Sequence, residues 1–166
     1  MSELDEIRSA LWNDPEKYSD SPYQRDLFEQ YRLCLQMADK VSERRGLTNN
    51  IFLTFNSAGA AALAVSYQSI GDVQAVVILA IGMVLCFAWG FLLRSYRSLN
   101  TAKFKVIGVM EERLPASPFW AAEWNALGQG KDWRKHLPLS PLETIVPIGF
   151  GVAYALLAIV TIVSAT

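Results

Sequence analysis

The sequence predicts an all-α integral membrane protein in which three transmembrane helices carry a helical cytoplasmic layer. Charged residues form 19% of the chain, yet the only one between Ile51 and Leu93 is Asp72, and none follows Thr144 up to the C-terminus. About 20 apolar residues cross a bilayer as a helix, so the first stretch has room for two spans and the second for one. Helices of a soluble core usually keep a polar face, which these stretches almost lack.

The predicted spans divide the chain into four segments. These are N-terminal cytoplasmic helices at 1–49, a transmembrane hairpin at 50–93 with spans at about 51–70 and 73–93, a cytoplasmic helical segment at 94–142, and a third transmembrane helix at 143–166.

Charge sorting predicts the orientation. All 15 Lys and Arg residues lie either within 8–45 or within 94–135, and the positive-inside rule places such segments in the cytoplasm. The N-terminus is therefore expected in the cytoplasm and the C-terminus outside. We expect no signal peptide, because no early apolar core precedes a cleavage site. The net charge of −1 gives no general basis for binding nucleic acid, so the expected partner is the lipid bilayer.

The N-terminal segment predicts two helices. A short one is expected at about 3–12, and a longer one at about 22–45 that ends at Gly46, with Thr48 or Asn49 capping the first span. In the longer helix, Leu27 and Tyr31 begin a series of apolar residues at steps of four and three. This heptad spacing is typical of a helix that packs against copies of itself or against the helix expected at 94–115, and also of an ordinary amphipathic helix.

The spans contain small residues at four-residue spacing, which allows close helix packing in lipid. Asn56 is the most polar side chain within a span, and Ser57 and Ser66 follow it in the same helix. These three are candidates either for lining a pore or for interhelical hydrogen bonds.

The polar segment after Leu93 predicts a continuation of the second span into the cytoplasm as far as Pro115. Tyr96, Lys103 and Ile107 lie on its recurring three- and four-residue steps and are candidate oligomer contacts. A second helix is expected at about 118–127. Ser140 and Glu143 form a capping box that begins the third span, and Pro147 is expected to kink it.

The sequence contains few residues in patterns typical of catalysis or ligand binding. We therefore predict no enzyme and no catalytic, cofactor-binding or metal-binding residues. Cys34 and Cys86 do not have the spacing of metal ligands, and His136 is the single histidine. Glu111, Glu123 and His136 are the only candidates for an enzyme at the inner leaflet, and no motif places them together.

Three runs carry a family resemblance: YRSLNTAKFKVIGVMEERLP, PFWAAEWNALGQG and LSPLETIVP. They resemble the RipA family of small bacterial inner-membrane proteins, over roughly residues 20–166. The resemblance implies a ring-shaped homo-octamer in the bacterial inner membrane, with no established catalytic activity and no cofactor. The best-marked positions are Tyr96, Leu99, Asn100, Lys103, Phe104, Ile107, Glu111, Leu114, Pro115, Glu123, Pro141 and Pro147.

Two functional hypotheses follow. The first is a non-enzymatic homo-oligomer that serves as a scaffold or stress-related assembly, whose cytoplasmic layer binds an unidentified protein. The alternative is a ligand-gated channel or membrane-disrupting effector, in which Lys103, Lys105 or Arg113 binds an anionic signal.

Overall fold

The computed structural model describes residues 3–11, 22–66, 69–123, 126–127 and 139–164, and for residues 10 and 139–142 the backbone alone. Within these ranges the chain is all-helical, as predicted. The elements are α1 (Glu3–Leu11), α2 (Tyr23–Ser66), α3 (Asp72–Glu111), a π-helical turn (Pro118–Glu123) and α4 (Leu139–Ser164). The expectations for Ser140 and His136 concern side chains outside this description.

The predicted break in α2 at Gly46 is wrong, because α2 is one helix of 44 residues. A glycine inside a helix costs only about 0.5–1 kcal/mol relative to alanine, which the contacts of so long a helix offset. Asn49 does not cap a new helix. Its side-chain oxygen instead accepts a hydrogen bond from the indole N–H of Trp89 on α3, at 3.2 Å.

The predicted continuation of the second span is confirmed, since α3 runs without a break for 40 residues. Backbone hydrogen bonds from Arg113 to Met110 and from Leu114 to Glu111 close its last turn. Within the helix expected at about 118–127, residues 118–123 form a π-helical turn, and residues 124–125 lie outside the described ranges. The geometry of the turn includes a bond from the Ala122 N–H to the Ser117 carbonyl, five residues back.

The contacts divide the chain into two compact units. The polar unit comprises Met1–Glu43 and Ser98–Pro138. Its core joins α2 to α3, and the buried members are Leu27, Tyr31, Ala38, Ile107 and Met110. The heptad positions of α2 therefore pack within one chain.

The apolar unit comprises Arg44–Arg97 and Leu139–Thr166. Its buried cluster takes one face each of α2, α3 and α4, and contains Leu63, Leu79, Cys86, Tyr154 and Ala158. Gly82 permits the close approach of α3 to α4, because a Cβ at that position would lie 2.7 Å from the ring of Tyr154.

Two helices in the described residues are long and apolar enough to cross a membrane. They are Asp72–Glu111, with a mean hydropathy of 2.7 in its most apolar window, and Glu143–Ser164, with 2.3. Only 22% of each window is buried, so most of this apolar surface faces outward. A helix in a soluble core would bury that surface.

Candidate functional sites in the two units

The carboxylate of Glu111 lies at the end of α3 in the core of the polar unit, and the residue is only 2% exposed. One oxygen, Oε1, accepts hydrogen bonds from the Tyr31 hydroxyl at 2.9 Å and the Phe119 N–H at 3.2 Å. The other, Oε2, accepts from the Ser117 hydroxyl at 2.6 Å and the Trp120 N–H at 2.9 Å. All four donors are neutral. The carboxylate therefore fastens α2 and the start of the π-helical turn to α3.

Tyr31 is held in its donating form. Burial, together with the adjacent Glu111 carboxylate, raises the pKa of the Tyr31 hydroxyl above its ordinary value. Both effects oppose loss of the proton, because a buried phenolate beside a carboxylate would be neither solvated nor paired. The hydroxyl therefore remains a donor at any physiological pH.

Trp120 covers α3 at Gly108. A Cβ on Gly108 would lie 2.5 Å from the indole ring, so only glycine lets the ring rest on the helix backbone. The Trp120 main chain is bonded to Glu111. Gly108 and Glu111 therefore fix the same segment, one through shape and the other through hydrogen bonding.

The N-terminal helix α1 is joined to the same region by an exposed ion pair. Arg8 contacts the Glu112 carboxylate through two nitrogens, at 2.6 and 3.0 Å. The hydrogen bond from Arg8 lowers the pKa of Glu112. Exposed pairs of this kind contribute little to stability. Glu112 therefore stabilises the fold much less than the neighbouring, buried Glu111.

In the apolar unit, Asn56 of α2 connects all three helices. Its side-chain amide donates to the Phe52 carbonyl at 2.8 Å, and its side-chain oxygen accepts from the Cys86 thiol of α3 at 3.3 Å. The Tyr154 hydroxyl of α4 donates to the Asn56 backbone carbonyl at 3.1 Å. Asn56 is 2% exposed, so in a single chain it forms interhelical hydrogen bonds.

Aromatic rings continue this connection. Trp89 is fully buried and stacks on Phe52 of α2, with ring centroids 6.0 Å apart and planes at 11°. Phe150 follows at 6.4 Å and Tyr154 lies 6.2 Å further on. Trp89 therefore lies in the interior of the helix bundle.

A cavity of about 750 Å³ opens on the surface of the apolar unit. Its polar lining consists of Arg45, Arg94, Arg97 and Glu143, with Thr144 beside them, and apolar side chains of α3 and α4 line the rest. Arg45 and Glu143 form a partly buried ion pair, in which one guanidinium nitrogen lies 3.0 and 2.9 Å from the two carboxylate oxygens.

The residues predicted as oligomer contacts fall into two groups. Leu27, Tyr31 and Ile107 are buried inside the polar unit, whereas Tyr96 and Lys103 are half-buried on α3. A single chain does not test their part in assembly, and these residues remain predicted contacts.

The other predicted polar residues also differ in their exposure and contacts. Ser57 is exposed and Ser66 is half-buried at the end of α2. Among the candidate anion-binding residues, Arg113 donates to the Tyr23 hydroxyl at 3.0 Å, and Lys105 is half-buried.

The cavity arginines were not predicted as a group. Their positions in the sequence could have indicated the group, because each arginine lies at or near the end of an uncharged stretch.

Long helices with outward apolar surface, joined by interhelical hydrogen bonds and stacked rings, define an α-helical membrane protein. The chain belongs to the Octameric membrane protein family (8xMP), which it matches over residues 28–163. The match therefore includes almost all of α2 and the whole of α3. No curated protein and no solved structure shows significant similarity to the chain.

Proposed function

We propose that this protein is the subunit of a non-enzymatic homo-octamer in a bacterial inner membrane, which acts as a scaffold or stress-related assembly through a cytoplasmic layer. Family membership supports the octamer and the membrane. The finer resemblance to the RipA family remains a prediction. The polar unit would be the cytoplasmic layer and the apolar unit the membrane part.

A third span at α2 is part of this proposal. From Gly46 to Ser66, α2 has no charged residue over 21 positions, a length of roughly 31 Å at 1.5 Å per residue. That length matches a hydrocarbon core of about 30 Å. The segment also packs against both candidate spans through Asn56. Cysteine labelling from each side of the membrane checks it, and a label on Ser66→Cys from the cytoplasm would contradict it.

The observation that carries the octamer is a set of large apolar side chains exposed on the polar unit. Phe28, Leu33 and Met37 of α2 are each more than half exposed, and Leu99 of α3 is nearly so. Outside the bilayer such surface is costly, and a second copy of the chain would cover it. The predicted contact Lys103 lies one helical turn beyond Leu99 on α3.

Native mass spectrometry in detergent tests the assembly. We expect eight subunits for the wild type. Met37→Glu or Lys103→Glu should give smaller species, while Asp72→Asn at the opposite end of the second span should leave the octamer intact. Ile107→Asp is a poorer test because Ile107 is buried within the chain. A wild-type monomer, or equal tolerance at all three positions, would exclude the proposal.

The absence of enzymatic activity is supported by the use of Glu111. It is the one buried carboxylate in the part of the chain that the structure describes, and donors of its own chain occupy both oxygens. If alanine substitution of Glu111, Glu123 and His136 abolished a measurable turnover while octamers still formed, an enzymatic role would replace the present proposal.

The alternative function is a channel or membrane-disrupting effector. Ser57 is the observation that favours it, because this hydroxyl is exposed directly after Asn56. Ion flux from loaded liposomes tests it, with Ser57→Leu as the blocking variant and Asn56→Leu beside it. Flux that Ser57→Leu abolishes would establish the channel, and no flux under any condition would exclude it.

A further inference from the structure

We infer that the cavity of the apolar unit is a binding site for one anionic phospholipid of the inner leaflet. Arg94 and its neighbouring arginines would hold the headgroup phosphate, and the groove between α3 and α4 would hold an acyl chain. The inference rests on the proposed membrane placement of this unit but not on the octamer.

Charge is the first argument. Arg45, Arg94 and Arg97 line the cavity together with a single acidic residue, Glu143, so its formal charge is positive even with the Arg45–Glu143 pair complete. Arg94 is exposed. Arginine favours phosphate because its planar guanidinium donates two hydrogen bonds at once. Basic pockets between membrane helices on the cytoplasmic side bind anionic headgroups for this reason.

The length of the groove is the second argument. The contacts of Gly82 with Tyr154 and of Cys86 with Gly151 show that α3 and α4 are antiparallel, so the start of α4 lies beside the arginine end of α3. From Arg94 back to Met83, which also lines the cavity, the helix rises roughly 16 Å. One leaflet of a hydrocarbon core about 30 Å thick has a similar depth. The groove thus offers a cationic end and one leaflet of apolar wall.

Gly90 keeps the groove open. Apart from its chain neighbours and the backbone of α3 itself, no atom lies within 4 Å of the Cβ that a larger residue would have there, and Gly90 lines the cavity. The two other glycines of α3 lie under aromatic rings. A side chain at position 90 would therefore occupy the space of the ligand without disturbing the fold.

A second copy of the chain is the competing occupant, and its charges fit poorly. The apolar unit has only two acidic residues, Asp72 and Glu143. Asp72 begins α3, more than 20 residues before Arg94 and therefore roughly 30 Å away along the helix. Glu143 already contacts Arg45. Apart from Glu143, the apolar unit of a neighbouring subunit thus has no carboxylate at the level of the arginines, whereas an anionic lipid places its phosphate there.

Native mass spectrometry of the full-length protein tests this inference, after equilibration with phosphatidylglycerol or phosphatidylcholine at equal concentrations. We expect one phosphatidylglycerol retained per chain and little phosphatidylcholine. Arg94→Gln should weaken retention roughly five- to tenfold, as loss of one basic residue near an anionic headgroup implies. Gly90→Leu should abolish retention, whereas Gly59→Leu, at another helical position with open space, should not.

Each other outcome overturns the inference. Equal retention of both lipids would mean that the arginines do not select a charge. Displacement of phosphatidylglycerol by millimolar inorganic phosphate alone would assign the site to a free anion. Loss of subunits in Gly90→Leu, with no lipid bound to the wild type, would show that a neighbouring chain fills the groove. The same spectra count subunits, so failure of the octamer is recognised separately from failure of the lipid site.

Discussion

Replacing Glu111 with glutamine tests whether the buried carboxylate holds the polar unit together. An amide keeps one acceptor oxygen and presents an NH₂ group where the other oxygen was. Each carboxylate oxygen serves one hydroxyl and one backbone N–H. The hydroxyl can rotate to accept from the amide, but the backbone N–H cannot. One partly buried N–H loses its partner, which costs about 1–3 kcal/mol, and the remaining bonds lose their charge assistance.

We therefore expect Glu111→Gln to lower the free energy of unfolding by about 2–4 kcal/mol. For a chain of this size that corresponds to a fall in Tm of roughly 5–15 °C. Tyr31→Phe removes one of the four donors and should cost less, about 1–2 kcal/mol. Because the two residues share a hydrogen bond, the double variant should lose less than the sum of the single losses.

Thermal unfolding of the detergent-solubilised protein, followed by tryptophan fluorescence, measures these shifts. Glu112→Gln is the matched control, since it is the same substitution one residue further on, at a side chain that is 41% exposed. It should change Tm very little. A Glu111→Gln variant that melts with the wild type, or losses that simply add in the double variant, would refute the argument.

Two further predictions concern glycines under aromatic rings. Gly108→Ala places a methyl group against Trp120 and should cost about 1–3 kcal/mol, whereas Gly46→Ala, in open space within α2, should stabilise by about 0.5–1 kcal/mol; equal melting shifts would contradict this. Gly82→Ala should push the Tyr154 ring off α3 and lower Tm, and Tyr154→Leu should relieve that effect in the double variant. A double variant that melts no higher than Gly82→Ala would show that the ring is not the obstacle.

The sequence predicted the helices better than it predicted the sites. The length of an uncharged stretch and the three- and four-residue spacing of apolar residues are properties of one helix at a time. They correctly indicated that α3 continues beyond the apolar stretch. The break at Gly46 was wrong because the role of Asn49 depends on Trp89, 40 residues away. No local pattern near Asn49 contains that partner.

The same limit explains why the hydrogen-bonding role of Glu111 was missed, although the residue itself was singled out. Glu111 and Glu112 look alike in sequence, and neighbours on a helix face different directions. Which of them faces the core depends on Tyr31 in α2 and on the turn that follows α3. The apolar steps through Ile107 and Met110 indicated the buried face. Glu111 directly follows Met110 on that face, and the turn that begins with Ser117 and Pro118 comes soon after. Glu111 was therefore a better candidate than Glu112 for the buried carboxylate.

The three glycines of α3 should differ in which substitutions other family members tolerate at their positions. Gly82 and Gly108 each lie under a ring, so larger residues there should occur in other family members only together with a smaller residue at 154 or 120. Gly90 has no such partner, and folding alone would let it drift freely to alanine, serine or leucine. A family in which position 90 nevertheless stayed small would record selection for an open groove, which no stability measurement on this chain could reveal.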